Sequence, residues 1–302
     1  MACRDCKLTV NVPSIPCVEE YNQGVILQTS LCLVLTVSAL AQSPRNIVVT
    51  SASSFRVGVP PQGSIGAIFC TGLNISGTVQ AAGAPLPWSL AGVSVTVGGA
   101  QAPLFSVSGL SGYQQINFQV PQEAVIAGYS VPITVTQNGD TGSTTAPASS
   151  VYQPSPGDFF TLPNSSYGAF QHATDYSTIT PANPARAGET VIGYLTGLEA
   201  TVPPVPTGQA SPYSPLAIVP QTTGLRVREY ALFVMPGFPS TSIIFLGLTP
   251  GLVGVYQANF VLPASAPSGD LTIQLQLHTC EDACIFGGGG YEFSQPVLLP
   301  VR

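Results

Sequence analysis

Residues 62–73 and 187–198 of this chain are two copies of one pattern. Gln62-Gly63-Ser64-Ile65 through Thr71-Gly72-Leu73 matches, without a gap and 125 residues later, Ala187-Gly188-Glu189-Thr190 through Thr196-Gly197-Leu198. Downstream, Gln115-Ile116-Asn117-Phe118-Gln119-Val120-Pro121 matches Gln257-Ala258-Asn259-Phe260-Val261-Leu262-Pro263, in the same order. A unit this long is a duplicated domain, because solenoid repeats run about 20–50 residues. Thr71 to Gln115 spans 44 residues and Thr196 to Gln257 spans 61, so the second copy carries 17 more. The Pro-rich segment Val202 to Pro220 is expected to hold them.

Each copy reads as β-structure. Past Ala41 no stretch has helical periodicity, and short runs alternate instead. Val93, Val95 and Val97 alternate with Ser94 and Thr96 and stop at Gly98-Gly99. Val131, Ile133 and Val135 run to Asn138-Gly139, and Leu271, Ile273, Leu275 and Leu277 alternate with Thr272, Gln274 and Gln276. Period-two runs closed by turn residues argue for antiparallel sheets buried on one face, hence β-sandwiches. The repeated Gly and Thr-Gly-Leu are expected where the chain turns between sheets. Cys70 aligns with Leu195 and reads as a buried, inert core residue. The repeated Gln…Asn-Phe reads as a strand whose Phe packs inward and whose amides bond adjacent loops, with a binding role for Asn117 and Asn259 as the alternative.

Composition narrows the partners. Of 302 residues 7% are charged, the net charge is −6 and Lys7 is the single lysine, so nothing neutralises a row of phosphates and nucleic acid is excluded as a partner. The 45% hydrophobic content is enough to build cores. Leu31 to Ala41 is an uncharged apolar run ending in Ala39-Leu40-Ala41, too short to span a bilayer and suited to a secretory signal cut after Ala41. Residues 1–41 are therefore expected to be an N-terminal extension plus signal, with the true start near Val25 or Leu27, and a buried strand is the alternative. No membrane span is expected after cleavage. In an exported protein Cys280 and Cys284, which precede the tetraglycine Gly287 to Gly290, read as a small-loop disulfide. A metal held by His278 and both thiols would lack a fourth ligand nearby in sequence, so no metal or cofactor is expected.

The chain also resembles a known family. Pro61 to Ile65, Leu86 to Ser94, Ala102 to Phe105 and Gln115 to Pro121, then Asn183 to Glu189, Tyr194 to Leu198, Pro204 to Gly208 and Pro250 to Gln257, are similar to a C-terminal domain family of secreted proteins of soil acidobacteria, of Solibacter type. The likeness covers nearly all of residues 46–302. It implies a pair of immunoglobulin-like domains of the IPT/TIG kind, and no activity. Two segments depart from the family pattern. Arg226 to Pro239 stands where a Gly-Gly hairpin is usual, and a rebuilt loop is expected there; Cys280 to Gly290 is an insertion.

Chemistry is sparse. No Gly-x-Ser-x-Gly, His-Glu-x-x-His or Asp-x-Asp calcium loop occurs. His172, Asp175 and Ser177 can be drawn as a triad, but neighbours in one polar stretch do not easily converge as base, orienter and nucleophile. The aromatics Phe159, Phe160, Tyr167, Phe170 and Tyr176 crowd one region. They are expected to wedge between the domains, and Phe160, Tyr167, Phe170 and Tyr176 are the candidate ligand contacts if the region is instead a sugar platform. The expectation is an all-β protein of two tandem immunoglobulin-like β-sandwiches, at 46–148 and 183–302, joined by a connecting region at 149–182. Its expected function is a non-catalytic, secreted or cell-surface interaction or structural module whose partner is a protein or envelope component. The alternatives are a carbohydrate-binding module that takes a polysaccharide, and a hydrolase with a non-motif active site.

Overall fold

The computed structural model describes residues 43–126, 130–148, 157–198, 200–220, 222–223, 226–235, 238–241, 243–280 and 289–302. Among these there is no helix, so none is long and apolar enough to cross a membrane. The signal-peptide reading falls on residues outside this description.

The first copy is a sandwich of two antiparallel sheets. Strands β1 (Arg45–Ser51), β2 (Ile65–Thr71), β3 (Gly77–Gln80), β6 (Leu104–Leu110) and β7 (Tyr113–Gln119) form one, in the order β1-β2-β7-β6-β3. Strands β4 (Val93–Val97), β5 (Ala100–Ala102), β8 (Val131–Gln137) and β9 (Asp140–Ala146) form the other, in the order β5-β4-β8-β9. The alternation seen in the sequence is what builds the core: Val93, Val95, Val97, Val131, Ile133 and Val135 face inward and are fully buried, opposite Ile68, Ile116 and Phe118. Asn138 and Gly139 both have positive φ, at 50° and 100°, which is the two-residue hairpin whose twist matches the strands it joins.

The second copy repeats the plan. Strands β10 (Asp158–Phe159) and β11 (Phe170–His172) share one edge of β12 (Thr190–Thr196), which continues through β17 (Tyr256–Val261) to β16 (Ile243–Leu248). Facing it, β14 (Arg226–Met235) and β18 (Gly269–Cys280) are the centre of a sheet. Its flanks are β13 (Thr222–Thr223) and β15 (Phe238–Thr241) on one side, and β19 (Gly289–Phe293) and β20 (Val297–Val301) on the other. The residues from 157 to 182 of the expected connecting region belong to this sandwich. Phe159 and Phe170 lie in its core, because the turns that follow them return the chain to the edge of β12.

Register shows how deep the duplication goes. Ala67 pairs with Asn117 and Ile192 pairs with Asn259, the same rung in each copy. Opposite each Asn-Phe the neighbouring strand bulges by one residue, Phe105 between Leu104 and Ser106, and Ile244 between Ile243 and Phe245. Phe118 and Phe260 are fully buried, as the repeat implies. The amides differ from expectation: Gln115 Nε2 donates to Asn117 Oδ1 at 2.9 Å, and Gln257 Nε2 to Asn259 Oδ1 at 2.8 Å. Side chains two apart on a strand share a face, so these amides satisfy each other along the strand in place of reaching a loop.

By strand starts, Thr71 to Val93 spans 22 residues and Thr196 to Arg226 spans 30, so only 8 of the 17 extra residues precede β14 and the rest follow its start; the Pro-rich insert Val202 to Pro220 nevertheless takes over a structural task. Ile218 bridges Val202 and Gly247, while Val219 N–H donates to Leu246 and Leu248 N–H to Ala217. The insert thus lines the edge of β16, the position that β3 occupies beside β6 in the first copy.

Candidate functional site

The residues drawn as a triad do not assemble. The Ser177 hydroxyl donates to Asp175 Oδ1 at 2.7 Å, and Ser177 N–H donates to the same oxygen at 2.9 Å. Those two bonds hold the Asp175 carboxyl below the usual range. His172 turns away to Glu189, Nδ1 to Oε1 at 2.9 Å. His172 is the last residue of β11, its N–H donates to the Ser177 carbonyl and that of Ala173 to Thr190, and its Nε2 is buried without a hydrogen-bond partner. The serine therefore faces a carboxylate and the imidazole faces a different one, an Asx-type turn beside a histidine–carboxylate contact. Nothing in that arrangement activates a nucleophile.

The four candidate ligand aromatics differ in burial. Phe170 is fully buried, with ring centroids 5.3 Å from Phe159 and 6.0 Å from Phe260, so it is core of the second sandwich. Phe160 is half-buried. Tyr167 donates its hydroxyl to Asp270 Oδ2 at 3.0 Å, a bond that raises the phenol's pKa, and Tyr176 is 66% exposed at a positive φ of 59°. The proposed disulfide falls outside the described residues, since Cys284 lies in 281–288 and only the backbone of Cys280 is described. Cys70 is buried, and desolvation pushes its thiol up to about 11, far from reactive thiolate character.

What the structure does bring together are the start of β14 and the strands on either side of 281–288. Arg226 to Met235 is not a loop but a ten-residue strand, hairpinned to β15. Its first half runs beside the end of β18, pairing Val227 with Cys280 and Arg228 with Thr279, and β18 in turn pairs Thr279 with Gly290 and Cys280 with Gly289. The starts of β14 and β19 and the finish of β18 are thus adjoining at one end of one sheet.

A second feature, which the repeat signalled without revealing its use, is the joint between the copies. The Thr196 hydroxyl, fully buried, accepts from Ile65 N–H and donates to the Gly254 carbonyl, both at 2.9 Å. The Gln119 amide donates to the Gly63 carbonyl at 3.1 Å and accepts from Gly208 N–H at 2.6 Å. The Thr207 hydroxyl accepts from Gln122 N–H at 2.9 Å and donates to Glu123 Oε2 at 2.7 Å. Leu86 N–H closes the set on the Gly208 carbonyl at 2.9 Å. Gly254 has φ 64°, and a side chain there would meet the Gly63 carbonyl at 2.9 Å, so only glycine lets the copies approach this closely. Beside the joint lies a cleft of about 370 Å³, lined by Gln80, Leu86, Phe105 and Ser106 of the first copy and Leu252 and Val253 of the second.

By fold the molecule is a tandem immunoglobulin-like β-sandwich protein. No family model matches the chain, and no curated protein matches it. Among solved structures, a titin structure aligns with 86% of this chain and 99% of its own, at 12% identity and a TM-score of 0.19. An endo-fucoidan hydrolase of glycoside hydrolase family 107 aligns with 86% of this chain and 29% of its own, at 12% identity and a TM-score of 0.15. Likeness at that level carries no functional argument.

Proposed function

We propose that this protein is an exported, non-catalytic interaction module whose recognition surface is the end of the second sandwich built from the starts of β14 and β19 and the finish of β18. The single observation that carries this reading is the pairing of Val227–Tyr230 with Leu277–Cys280, and of that segment with Gly289–Glu292. Segments that a duplicated scaffold keeps in one copy and changes in the other are where a new contact is added at least cost to the fold, and recognition on β-sandwiches collects at loop-bearing ends. Membership in the acidobacterial family that the motifs resemble belongs to the same reading, as does export, which rests on the apolar run Leu31 to Ala41.

The test replaces 281–288 with a two-residue Asn-Gly turn and compares both proteins in sedimentation with isolated bacterial envelopes. Saturable binding by the intact chain, lost in the replacement while the melting temperature holds, is the expected result. Equal binding by both would move recognition elsewhere, and turnover on a hydrolase panel that His172→Ala abolishes would replace the reading with a catalytic one.

A further inference from the structure

The outer face of the first sandwich's five-stranded sheet carries three neighbouring rings. Phe69 on β2 points outward, since Ile68 and Cys70 on either side of it are buried. Phe55, on the turn after β1, lies against it with ring centroids 6.1 Å apart, and Tyr113 on β7 lies on its other side at 5.9 Å. Phe55 is 56% exposed and Tyr113 42%. Phe55 is also held at φ 54°, a left-handed conformation that bulky side chains rarely adopt, inside a turn in which its N–H donates to Ser51 and Ser51 N–H donates to Arg56. Strain kept for an exposed ring points to a task other than packing.

The rings continue into amides. Gln115 is the cross-strand partner of Phe69, and Asn117 lies two residues on along the same face, donating to Ser106 Oγ at 3.1 Å. Ser106 pairs with Gln80, and these two residues form one wall of the 370 Å³ cleft at the joint. The ring row is therefore connected, through the part-exposed Gln115 and Asn117 and the hydroxyl of Ser106, to the wall of a cleft of ligand-binding size. None of Phe55, Phe69, Tyr113, Gln115, Asn117 and Ser106 is charged. The second copy has no such row: Tyr194 stands for Phe69 with its hydroxyl bonded to Gln171, and Val255 stands for Tyr113.

We propose that this face binds a neutral polysaccharide. The C–H faces of sugar rings pack on Phe55, Phe69 and Tyr113, and their hydroxyls exchange hydrogen bonds with Gln115, Asn117 and the cleft wall. The rings, amides and hydroxyl of this face carry no charge, which fits an uncharged chain; the exposed Arg56 beside Phe55 is the one charge in the turn that holds the ring, and the polygalacturonate arm of the test addresses it. The proposal does not rest on recognition at the β14–β18–β19 end.

The test is affinity electrophoresis of the full chain in gels containing hydroxyethylcellulose, dextran or polygalacturonate. Retardation by a neutral polymer and not by polygalacturonate is expected. Tyr113→Ala should weaken it by about tenfold, Tyr113→Phe should stay within about threefold, and Phe55→Gly should weaken binding with the melting temperature held within about 3 °C. Tyr176→Ala and the 281–288 replacement should bind as the parent does. No retardation by either neutral polymer, or retardation that survives Tyr113→Ala, overturns the proposal. Loss of retardation in the 281–288 replacement also overturns it, by assigning the sugar to the other surface.

Discussion

Thr71 and Thr196 occupy the same place in the two copies and make different bonds. Thr71 accepts from the Asn46 amide and donates to Arg45 in an exposed turn, while Thr196 is buried and links Ile65 to Gly254 across the joint. Thr196→Val keeps the shape and strands a buried N–H and a buried carbonyl, so denaturant melts should show a loss of about 2 kcal/mol. Thr71→Val, whose groups can turn to water, should stay within about 0.5 kcal/mol. At Asp175 the depressed pKa has a defined sign. A carboxyl held low in the folded state contributes stability that is present above its unfolded pKa and lost as pH falls through its folded one. Ser177→Ala removes a donor, so an NMR titration should find the Asp175 carboxyl moved up toward its ordinary value, and no movement would show that the backbone N–H alone sets it. Residue-level reading from sequence succeeded where period and alignment carried the information, as for Cys70, Phe118 and Phe260. It failed for Phe170, because composition shows that rings crowd a region but not which side of a strand each occupies. The outward Phe69 was readable from the alternation Ile68-Phe69-Cys70; its partner Phe55 was not, since a turn brings it back.

Strands and their bulges make the duplication quantitative. Phe118 and Phe260 sit on equivalent rungs, each opposite a one-residue bulge and each fully buried. Phe118→Ala and Phe260→Ala should each cost about 3–5 kcal/mol in equilibrium unfolding. A loss at one site several times that at the other would deny the equivalence of the two cores. The elements legible in the sequence were those with strict alternation, β4, β8 and β18, and the hairpin at Asn138-Gly139. The segment 226–239 was read as a loop because its charges and aromatics hide the period, and Arg226–Met235 is a strand because β18 extends far enough to pair with it. Likewise β10 and β11 are two and three residues long, too short for any period, and are placed by their pairing with β12.

At the scale of the molecule, two sandwiches that could have been separate beads are fastened by polar groups drawn from the repeat itself. Gly63 and Ile65 begin the pattern in the first copy, Thr196 ends it in the second, and the insert adds Thr207 and Gly208. The spacing of the repeat showed that the second copy is longer but not how the extra length is divided, and the docking of Thr207 and Gly208 on Leu86, Gln119 and Gln122 was not legible either, because hydrogen bonds between segments far apart in sequence leave no periodic trace. The fastening fixes both the cleft and the ring row that leads into it. Differential scanning calorimetry of the intact chain and of Gly254→Val tests this joint most directly, since a valine there meets the Gly63 carbonyl and Ile65. One cooperative transition in the parent, resolved into two in the variant, is the predicted result. Two transitions in the parent, or an unchanged single transition in Gly254→Val, would contradict it.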